Sequence, residues 1–219
     1  LNKLLNNFHI KKIEVLKERS IASFGGSKVF IKSIKNCYFD NWERRGKYLI
    51  GALRTKNNNS KGFIVVHLRM TGQFQFLEKK IPPCKHTRVR FIEGKGKELR
   101  FVDIRNFGQM WYVPSSKKIS QIVSGIKRLG PEPFSPAFNS CYLEEYLKNK
   151  KRSIKSALLD QETVAGVGNI YADETLFDAG INPKTESRNL KSSDLKRLCK
   201  SLVNILNISI GEGGTTFSD

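Results

Sequence analysis

The sequence is poor in the residues from which disulfide frameworks and metal sites are built. Its 219 residues include four cysteines and three histidines, and the histidines do not cluster. The cysteines are widely spaced and form no Cys-x-x-Cys pair: Cys37, Cys84, Cys141 and Cys199. This spacing excludes a disulfide scaffold and predicts no metal site in the chain, so the cysteines are interpreted as buried free thiols.

Long apolar runs and acidic residues are scarce as well. No stretch reaches the roughly 18 apolar residues that span a bilayer, and no signal-peptide pattern opens the chain, which predicts a cytoplasmic protein without membrane contact. Asp and Glu number 20 against 39 Lys and Arg, giving a formal net charge of +19. So large a positive charge repels itself unless a polyanion neutralises it, which favours nucleic acid as the partner.

The first half of the chain has the alternating pattern of β-strands. In Arg88–Ile92 and Glu98–Val102, apolar and charged residues alternate on either side of a glycine-containing loop, as in a hairpin. Further short runs complete the predicted strands: Ile10–Leu16, Phe63–Leu68 and Gln109–Val113. Short strands joined by tight turns predict an antiparallel sandwich or barrel.

The second half changes to the helical period after a connection interrupted by prolines. Helices are predicted over four segments: Tyr142–Lys148, Ile154–Asp160, Tyr171–Ala179 and Asp194–Ile210. Ser192 and Ser193 occupy the N-cap region of the last helix, and Gly211–Gly214 end it. The fold class predicted is α+β, with residues 1–116 as an N-terminal antiparallel β-sandwich domain, 117–130 as a linker and 131–219 as an all-helical domain.

Both ends of the chain are expected to lie inside a longer protein. Four apolar residues at the start follow helical spacing with neither a cap nor an initiator methionine before them: Leu1, Leu4, Leu5 and Phe8. At the other end the sequence stops at Asp219, shortly after a Gly-Gly pair. We therefore expect an internal fragment that begins in a helix.

The segment Val164–Asn169 places two glycines in a tight turn between helices, and Asn169 is predicted to cap the second helix. A glycine-rich turn before a helix exposes backbone N–H groups at the positive end of the helix dipole, which suits a phosphate. An ordinary helix hairpin has the same spacing, but a nearby basic block favours phosphate binding. The block consists of Lys148, Lys150, Lys151, Arg152 and Lys155.

The segment Ile154–Pro183 resembles the helix–two-turn–helix of the formamidopyrimidine-DNA glycosylase and endonuclease VIII superfamily. Five further motifs occur in the order and spacing of that superfamily: RRGKYL at Arg44–Leu49, VHLRMTG at Val66–Gly72, VDIRNFGQM at Val102–Met110, LGPEPF at Leu129–Phe134 and GEGGTT at Gly211–Thr216. The strings RMTG, RNFG and GNIY are closer to the formamidopyrimidine branch, which acts on oxidised purines, than to the endonuclease VIII branch, which prefers oxidised pyrimidines.

The resemblance implies a base-excision-repair DNA glycosylase and abasic-site lyase for 8-oxoguanine and formamidopyrimidines. Its partner would be double-stranded DNA with oxidised bases or abasic sites, held by a monomer in a basic cleft. Lys47 matches a catalytic loop lysine that contacts DNA near the lesion and assists proton transfer. Met70, Arg105 and Phe107 match the residues that fill the space left by an everted nucleotide. Without the resemblance, Lys47 would be interpreted as a surface lysine, and Met70 and Phe107 as core residues.

Other matched positions concern the DNA backbone. His86, Lys150 and Asn169 match phosphate-contacting residues of the family, and Lys155 is assigned to DNA binding with them. Asn106 departs from the pattern, because relatives often have a second arginine after Arg105, and one backbone contact is therefore in doubt.

Two parts of the family pattern are not found in these residues. The family nucleophile is an N-terminal proline followed by glutamate, and its zinc is held by a C-terminal finger with four cysteines. The resemblance therefore implies zinc in the full-length family, no cofactor in this chain, and no catalytic activity for these 219 residues alone.

Three other functions stay open at this point. The chain is also compatible with a non-catalytic module that binds damaged DNA, or with an endonuclease VIII-like glycosylase for oxidised pyrimidines. An RNA-binding protein is the third, because similar helix–two-turn–helix elements occur in ribosomal proteins. Comparing affinities for duplex DNA and duplex RNA distinguishes this last function, since the two helices differ in groove shape.

Overall fold

The structure is a computed structural model that describes residues 1–5, 7–94 and 96–214. The chain divides into two compact units, Leu1–Lys127 and Arg128–Asp219. Two residues of the last predicted motif, Thr215 and Thr216, lie outside the described residues.

The first unit is built on two four-stranded sheets whose strands pair antiparallel. Its described strands are β1 Lys12–Val15, β2 Tyr38–Arg45, β3 Tyr48–Arg54, β4 Ser60–His67, β5 Gly72–Leu77, β6 Thr87–Ile92, β7 Glu98–Asp103 and β8 Gln109–Pro114. One sheet has the order β1-β6-β7-β5, and the other has the order β2-β3-β4-β8. A 3-10 turn at Glu18–Ser20 and the helix α1, Gly26–Ile34, lie between β1 and β2.

Side chains from both sheets share one core. The ring centroids of Phe39 in β2 and Phe91 in β6 lie 5.7 Å apart, and both side chains are fully buried. Phe30 of α1 is also fully buried in the same cluster. The two sheets therefore form a sandwich, as the alternating pattern predicts.

The sequence pattern missed β2, β3, β5 and α1. In β2 the buried residues Phe39 and Trp42 are three positions apart, because the register with β3 shifts between them. This irregularity removes the period of two on which strand prediction depends.

The expectation of a helix at the start is wrong. Among the described residues of 1–8 the chain forms turns, and Asn7 has a left-handed backbone conformation with φ of 60°. Leu5 and Phe8 are nevertheless buried, which explains their apolar character without a helix. The expectation of buried thiols is also wrong in part, because Cys84 and Cys141 are exposed.

The boundary between the units falls inside the segment 117–130, which was predicted as a linker. The part before the boundary is helical, with α2 at Ile119–Ile122 and α3 at Ser124–Lys127. Val123 between them is buried and packs with Val65 and Val113 of the first unit. Residues 117–127 therefore belong to the first unit.

The second unit is helical in its described part. It contains α4 Ser140–Leu147, α5 Ile154–Leu159, α6 Asn169–Asp178, a 3-10 turn at Ser187–Asn189 and α7 Ser192–Gly211. Apolar residues of all four helices form one core, including the fully buried Leu143, Leu158 and Leu198. The α+β fold, with two antiparallel sheets followed by helices, is thus confirmed. Among the described residues, each helix is too short or too polar to span a bilayer.

Two predicted caps are wrong. The N-cap of α6 is Gly168, and Asn169 is already the first helical residue. The N-cap of α7 is Lys191, whose backbone N–H donates to Oδ2 of Asp194 at 3.0 Å. In both cases the helix begins two residues before its predicted start. In α7 these two residues, Ser192 and Ser193, are polar and leave no periodic signal.

A candidate nucleic-acid interface

Lys47 lies at the tip of the hairpin that joins β2 and β3. Arg45 pairs with Tyr48, so Gly46 and Lys47 are the two turn residues. Gly46 has φ of 55°, which suits the first position of a tight hairpin turn and is unfavourable for side chains with a Cβ. The turn therefore presents Lys47 at the end of the sheet, where it is exposed.

His67 is the neighbour that the sequence interpretation missed. It pairs with Tyr48 across β3 and β4, and the two rings meet edge to face at 4.7 Å between centroids. Burial, with the charges of Arg69 and Lys47, lowers the pKa of His67 to about 4. Its imidazole is therefore neutral near pH 7, and Nδ1 accepts the Arg69 N–H at 3.0 Å, which leaves the proton on Nε2.

Partial burial of the ammonium also lowers the pKa of Lys47, although the residue as a whole is exposed. A histidine within the apolar run Phe63–Leu68 was the available sequence signal, because the run itself predicts burial and burial perturbs a titratable group.

The structure brings Met70, Arg105 and Phe107 together at the surface, and they are called the Met70 cluster below. Arg105 Nη1 lies 3.2 Å from the Met70 sulfur. Met70 and Phe107 line one shallow pocket with Arg19, whose guanidinium lies 5.5 Å from the centroid of the Phe107 ring. Met70 is 71% exposed and Phe107 is 44% exposed, so neither is a core residue.

His86 and Asn106 are both connected to the β7–β8 loop that carries Arg105 and Phe107. The backbone oxygen of His86 accepts the Asp103 N–H at 3.0 Å, and the His86 side chain is half-buried. Asn106 has φ of 54°, and its side-chain oxygen accepts the Ser20 hydroxyl at 3.2 Å. Asparagine tolerates this left-handed conformation better than most residues, which gives the departure from the family pattern a local reason.

In the second unit, the turn before α6 is held by the side chain of Gln161. Its Oε1 accepts the Gly166 N–H at 2.9 Å, and its Nε2 donates to the backbone oxygen of Val167 at 2.9 Å. Gly166 has φ of 91°, which a residue with a Cβ rarely adopts. The turn directs the exposed Asn169 to the beginning of α6.

The basic block of the second unit is only partly neutralised within the chain. Ion pairs join Lys155 to Asp173 at 2.7 Å and Arg152 to Asp160 at 2.6 Å. Lys148 pairs with Glu145 in the same way. Lys150 and Lys151 are exposed and take part in none of the ion pairs found among the described residues, although the Lys150 ammonium lies 5.0 Å from the centroid of the Tyr146 ring.

The described residues contain no group of three or more His, Cys, Asp or Glu that could hold a metal ion.

Two family models match the chain. The formamidopyrimidine-DNA glycosylase N-terminal domain matches residues 1–110, and the formamidopyrimidine-DNA glycosylase H2TH domain matches residues 129–219. The matches fall on the sandwich unit and on the helical unit.

Relatives with this name are similar along the whole chain. The formamidopyrimidine-DNA glycosylase of Prochlorococcus marinus strain NATL1A is 78% identical over 219 residues, which are 100% of this chain and 78% of the relative. That of Parasynechococcus marenigrum strain WH8102 is 54% identical over 215 residues, covering 98% of this chain and 76% of the relative.

Solved structures are similar too. A Lactococcus lactis Fpg mutant in complex with DNA containing Fapy-dG has a TM-score of 0.89 at 29% identity, covering 100% of this chain and 77% of that chain. Lactococcus lactis Fpg in complex with DNA containing an abasic site has a TM-score of 0.88 at 29% identity, with the same coverage. The chain therefore belongs to the formamidopyrimidine-DNA glycosylase family of DNA repair enzymes.

Proposed function

We propose that the chain binds double-stranded DNA containing oxidised purines or abasic sites, as part of a glycosylase and abasic-site lyase that removes 8-oxoguanine and formamidopyrimidines. The observation that carries this proposal is the exposed Met70 cluster, which stands next to the cationic group formed by Arg69 and Lys47 around His67. The lesion and abasic-site DNA bound by the Lactococcus lactis relatives supports the same class of ligand.

The chemistry of the Met70 cluster fits DNA with one nucleotide removed from the stack. An enzyme that acts on a base must evert it, and the vacancy costs a few kcal/mol unless side chains fill it. Met70 and Phe107 supply exposed apolar surface for this purpose. Arg105 supplies guanidinium donors for the base that loses its partner.

Lys47 fits a role at the scissile backbone. Its ammonium attracts a phosphodiester, and its lowered pKa makes it a better proton donor during strand elimination. The neutral His67 beside it offers an uncharged N–H donor.

The remaining predicted residues would bind the DNA backbone. Lys150 and Asn169 are exposed and available for phosphates, and the half-buried His86 is bonded through its backbone to Asp103, just before the loop that carries Arg105 and Phe107. Lys155 would have to exchange its ion pair with Asp173 for a phosphate, so we expect it to contribute less than Lys150.

We also propose that a polypeptide of these 219 residues binds DNA as a monomer. It should leave the DNA strands intact, because none of its residues corresponds to the proline nucleophile. The cytoplasm is the location that this function requires in a bacterial cell. Incubation with an 8-oxoguanine duplex tests the absence of cleavage, and nicking above the level of Lys47→Ala would contradict it.

Binding is tested by fluorescence anisotropy with three duplexes of one sequence: undamaged DNA, DNA with an abasic-site analogue, and RNA. We expect the abasic-analogue DNA to bind most tightly and RNA most weakly. The logarithm of the affinity should fall with the logarithm of salt concentration, with a slope of about −0.9 per phosphate engaged. Lys47→Ala should weaken binding to the abasic-analogue DNA by about threefold to tenfold.

Lys56→Ala is the matched control for Lys47→Ala. Lys56 is an exposed lysine in the turn at the opposite end of β3, so its loss changes the net charge equally at a distant site. Equal effects of the two substitutions would contradict the assigned site. Tighter binding of duplex RNA would favour the RNA-binding alternative instead.

A further inference from the structure

The Met70 cluster is carried by two loops with unusual backbone conformations. Met70 lies between β4 and β5, and Arg105 and Phe107 lie between β7 and β8. Each loop contains a non-glycine residue in the left-handed region, Arg69 with φ of 59° and Asn106 with φ of 54°. Such conformations persist only where the surroundings hold them.

One buried carboxylate holds both loops. Asp103, the last residue of β7, is fully buried. One of its oxygens accepts the hydroxyl of Thr71, which directly follows Met70 in the first loop. Its other oxygen accepts the Gly108 N–H of the second loop at 2.7 Å.

The hydroxyl of Thr71 links the loops a second time. Its Oγ1 accepts the backbone N–H of Arg105 at 3.1 Å while its proton is donated to Asp103. The backbone N–H groups of Asn106 and Phe107 also interact with the Asp103 carboxylate. Met70 is thus the neighbour of Thr71 in the chain, the Arg105 N–H is bound to Thr71, and the Phe107 N–H interacts with Asp103.

The packing around this carboxylate leaves little room for rearrangement. A Cβ on Gly108 would lie 2.4 Å from the Phe101 ring and 3.1 Å from Oδ2 of Asp103. A Cβ on Gly72 would lie 2.3 Å from the backbone oxygen of Leu68. The Arg88 guanidinium holds the backbone next to the carboxylate, because it donates to the backbone oxygens of Asp103 at 2.7 Å and Ile104 at 3.2 Å.

We infer that Asp103, acting through Thr71, is a positioning residue that fixes the Met70 cluster for insertion into damaged DNA. Asp103 is too deeply buried to touch DNA itself. The ionised carboxylate holds the two loops in one conformation before DNA binds. Binding therefore does not have to meet the entropic cost of ordering them. The inference rests on the proposed function, because the role of the Met70 cluster in DNA is proposed there.

The first measurement needs no DNA. The chain has two methionines, the exposed Met70 and the fully buried Met110, so ¹³C-methyl labelling of methionine gives one signal from the cluster and one from the core. Thr71→Val removes the hydroxyl but keeps the shape of the side chain. We expect it to shift or broaden the Met70 signal and to leave the Met110 signal in place, and we expect Thr71→Ser to restore the wild-type Met70 signal.

The second measurement compares affinities for abasic-analogue and undamaged duplexes. Losing one buried hydrogen-bonding group corresponds to about a tenfold change in an equilibrium. We therefore expect Thr71→Val to lower the preference for the abasic-analogue DNA about tenfold without changing the affinity for undamaged DNA. Thr71→Ser should retain the preference, and so should Thr55→Val, a control that removes a hydroxyl bonded to the Asn59 N–H in a distant turn.

Asp103→Asn should have a larger effect than Thr71→Val on both measurements, because both loops bind the Asp103 carboxylate. If Asp103→Asn fails to fold, Thr71→Val alone tests the inference. An unchanged Met70 signal in Thr71→Val overturns the inference, and so does a shifted signal with full preference for damaged DNA. A wild-type chain that binds abasic-analogue and undamaged DNA equally well would refute the proposed function instead. The Met70 signal would still show whether Thr71 and Asp103 hold the two loops in place.

Discussion

His67 shows how its surroundings set the charge of a single side chain. The residue lies on β4 among buried neighbours, with two cationic side chains close by. Desolvation and the like charges of Arg69 and Lys47 both disfavour its protonated form. The site therefore combines the permanent charge of Arg69 and the ammonium of Lys47 with a neutral imidazole.

The lowered pKa of His67 predicts a pH-dependent stability. The unfolded chain takes up a proton near pH 6.5, whereas the folded chain does so only near pH 4. Below pH 6.5 the unfolded state therefore binds more protons, and the free energy of unfolding falls by up to about 3 kcal/mol as the pH falls to 4. His67→Gln should remove this part of the decrease.

Urea titrations at pH 7, 5.5 and 4.5 measure the effect through tryptophan fluorescence, because Trp42 and Trp111 both lie in the first unit. His9→Gln serves as the histidine control. An equal pH dependence in wild type and His67→Gln would show that His67 is not responsible.

At the scale of single elements, the turn before α6 depends on one side chain. Gln161 satisfies the Gly166 N–H and the backbone oxygens of Leu159 and Val167. These groups belong to a segment whose neighbours Val164 and Ala165 are fully buried, so water replaces the lost partners poorly. The turn is therefore fixed by a residue outside the glycine motif itself.

Gln161→Ala should destabilise the second unit by about 1–3 kcal/mol, because it leaves partly buried backbone groups without partners. Circular dichroism at 222 nm during urea unfolding reports on the helical unit, and tryptophan fluorescence reports on the first unit as an internal reference. Gln75→Ala, at an exposed position of β5, is the control. A loss of stability no larger than that of Gln75→Ala would show that the turn holds without Gln161.

At the scale of the whole molecule, charge is the dominant feature. A formal net charge of +19 in 219 residues remains however many ion pairs form, because each pair cancels one positive and one negative charge. Repulsion among like charges opposes the compact state, while the ion pairs support it, and added salt weakens both. The sign of the salt effect therefore shows which of the two is larger.

We expect the repulsion to be larger, so that the Tm rises by a few degrees, roughly 2–4 °C, between 20 and 200 mM NaCl at pH 7. Differential scanning fluorimetry measures this shift, and a series with an uncharged osmolyte of equal osmolality is the control. A Tm that falls with salt would mean that the ion pairs outweigh the repulsion.

The fold class and most of the regular elements follow from local sequence patterns alone. The strands β6 to β8 and the helices α4 to α7 follow apolar periods that burial imposes directly on the residues, and so they could be read without coordinates. The motifs around Lys47, Met70 and Arg105 likewise contain most of the residues of the candidate site. Local pattern is sufficient here because each signal lies within one segment.

The contacts between distant segments are visible only in the tertiary structure. It showed that Met70 and Phe107 are exposed, that His67 is neutral beside Lys47, and that Asp103 joins two loops. Thr71 and Asp103 are 32 residues apart, and no local period connects them. Their contact arises from the pairing of β5 with β7, which brings Gly72 opposite Asp103. Long-range pairing of this kind is specified by the whole sheet and by no single segment.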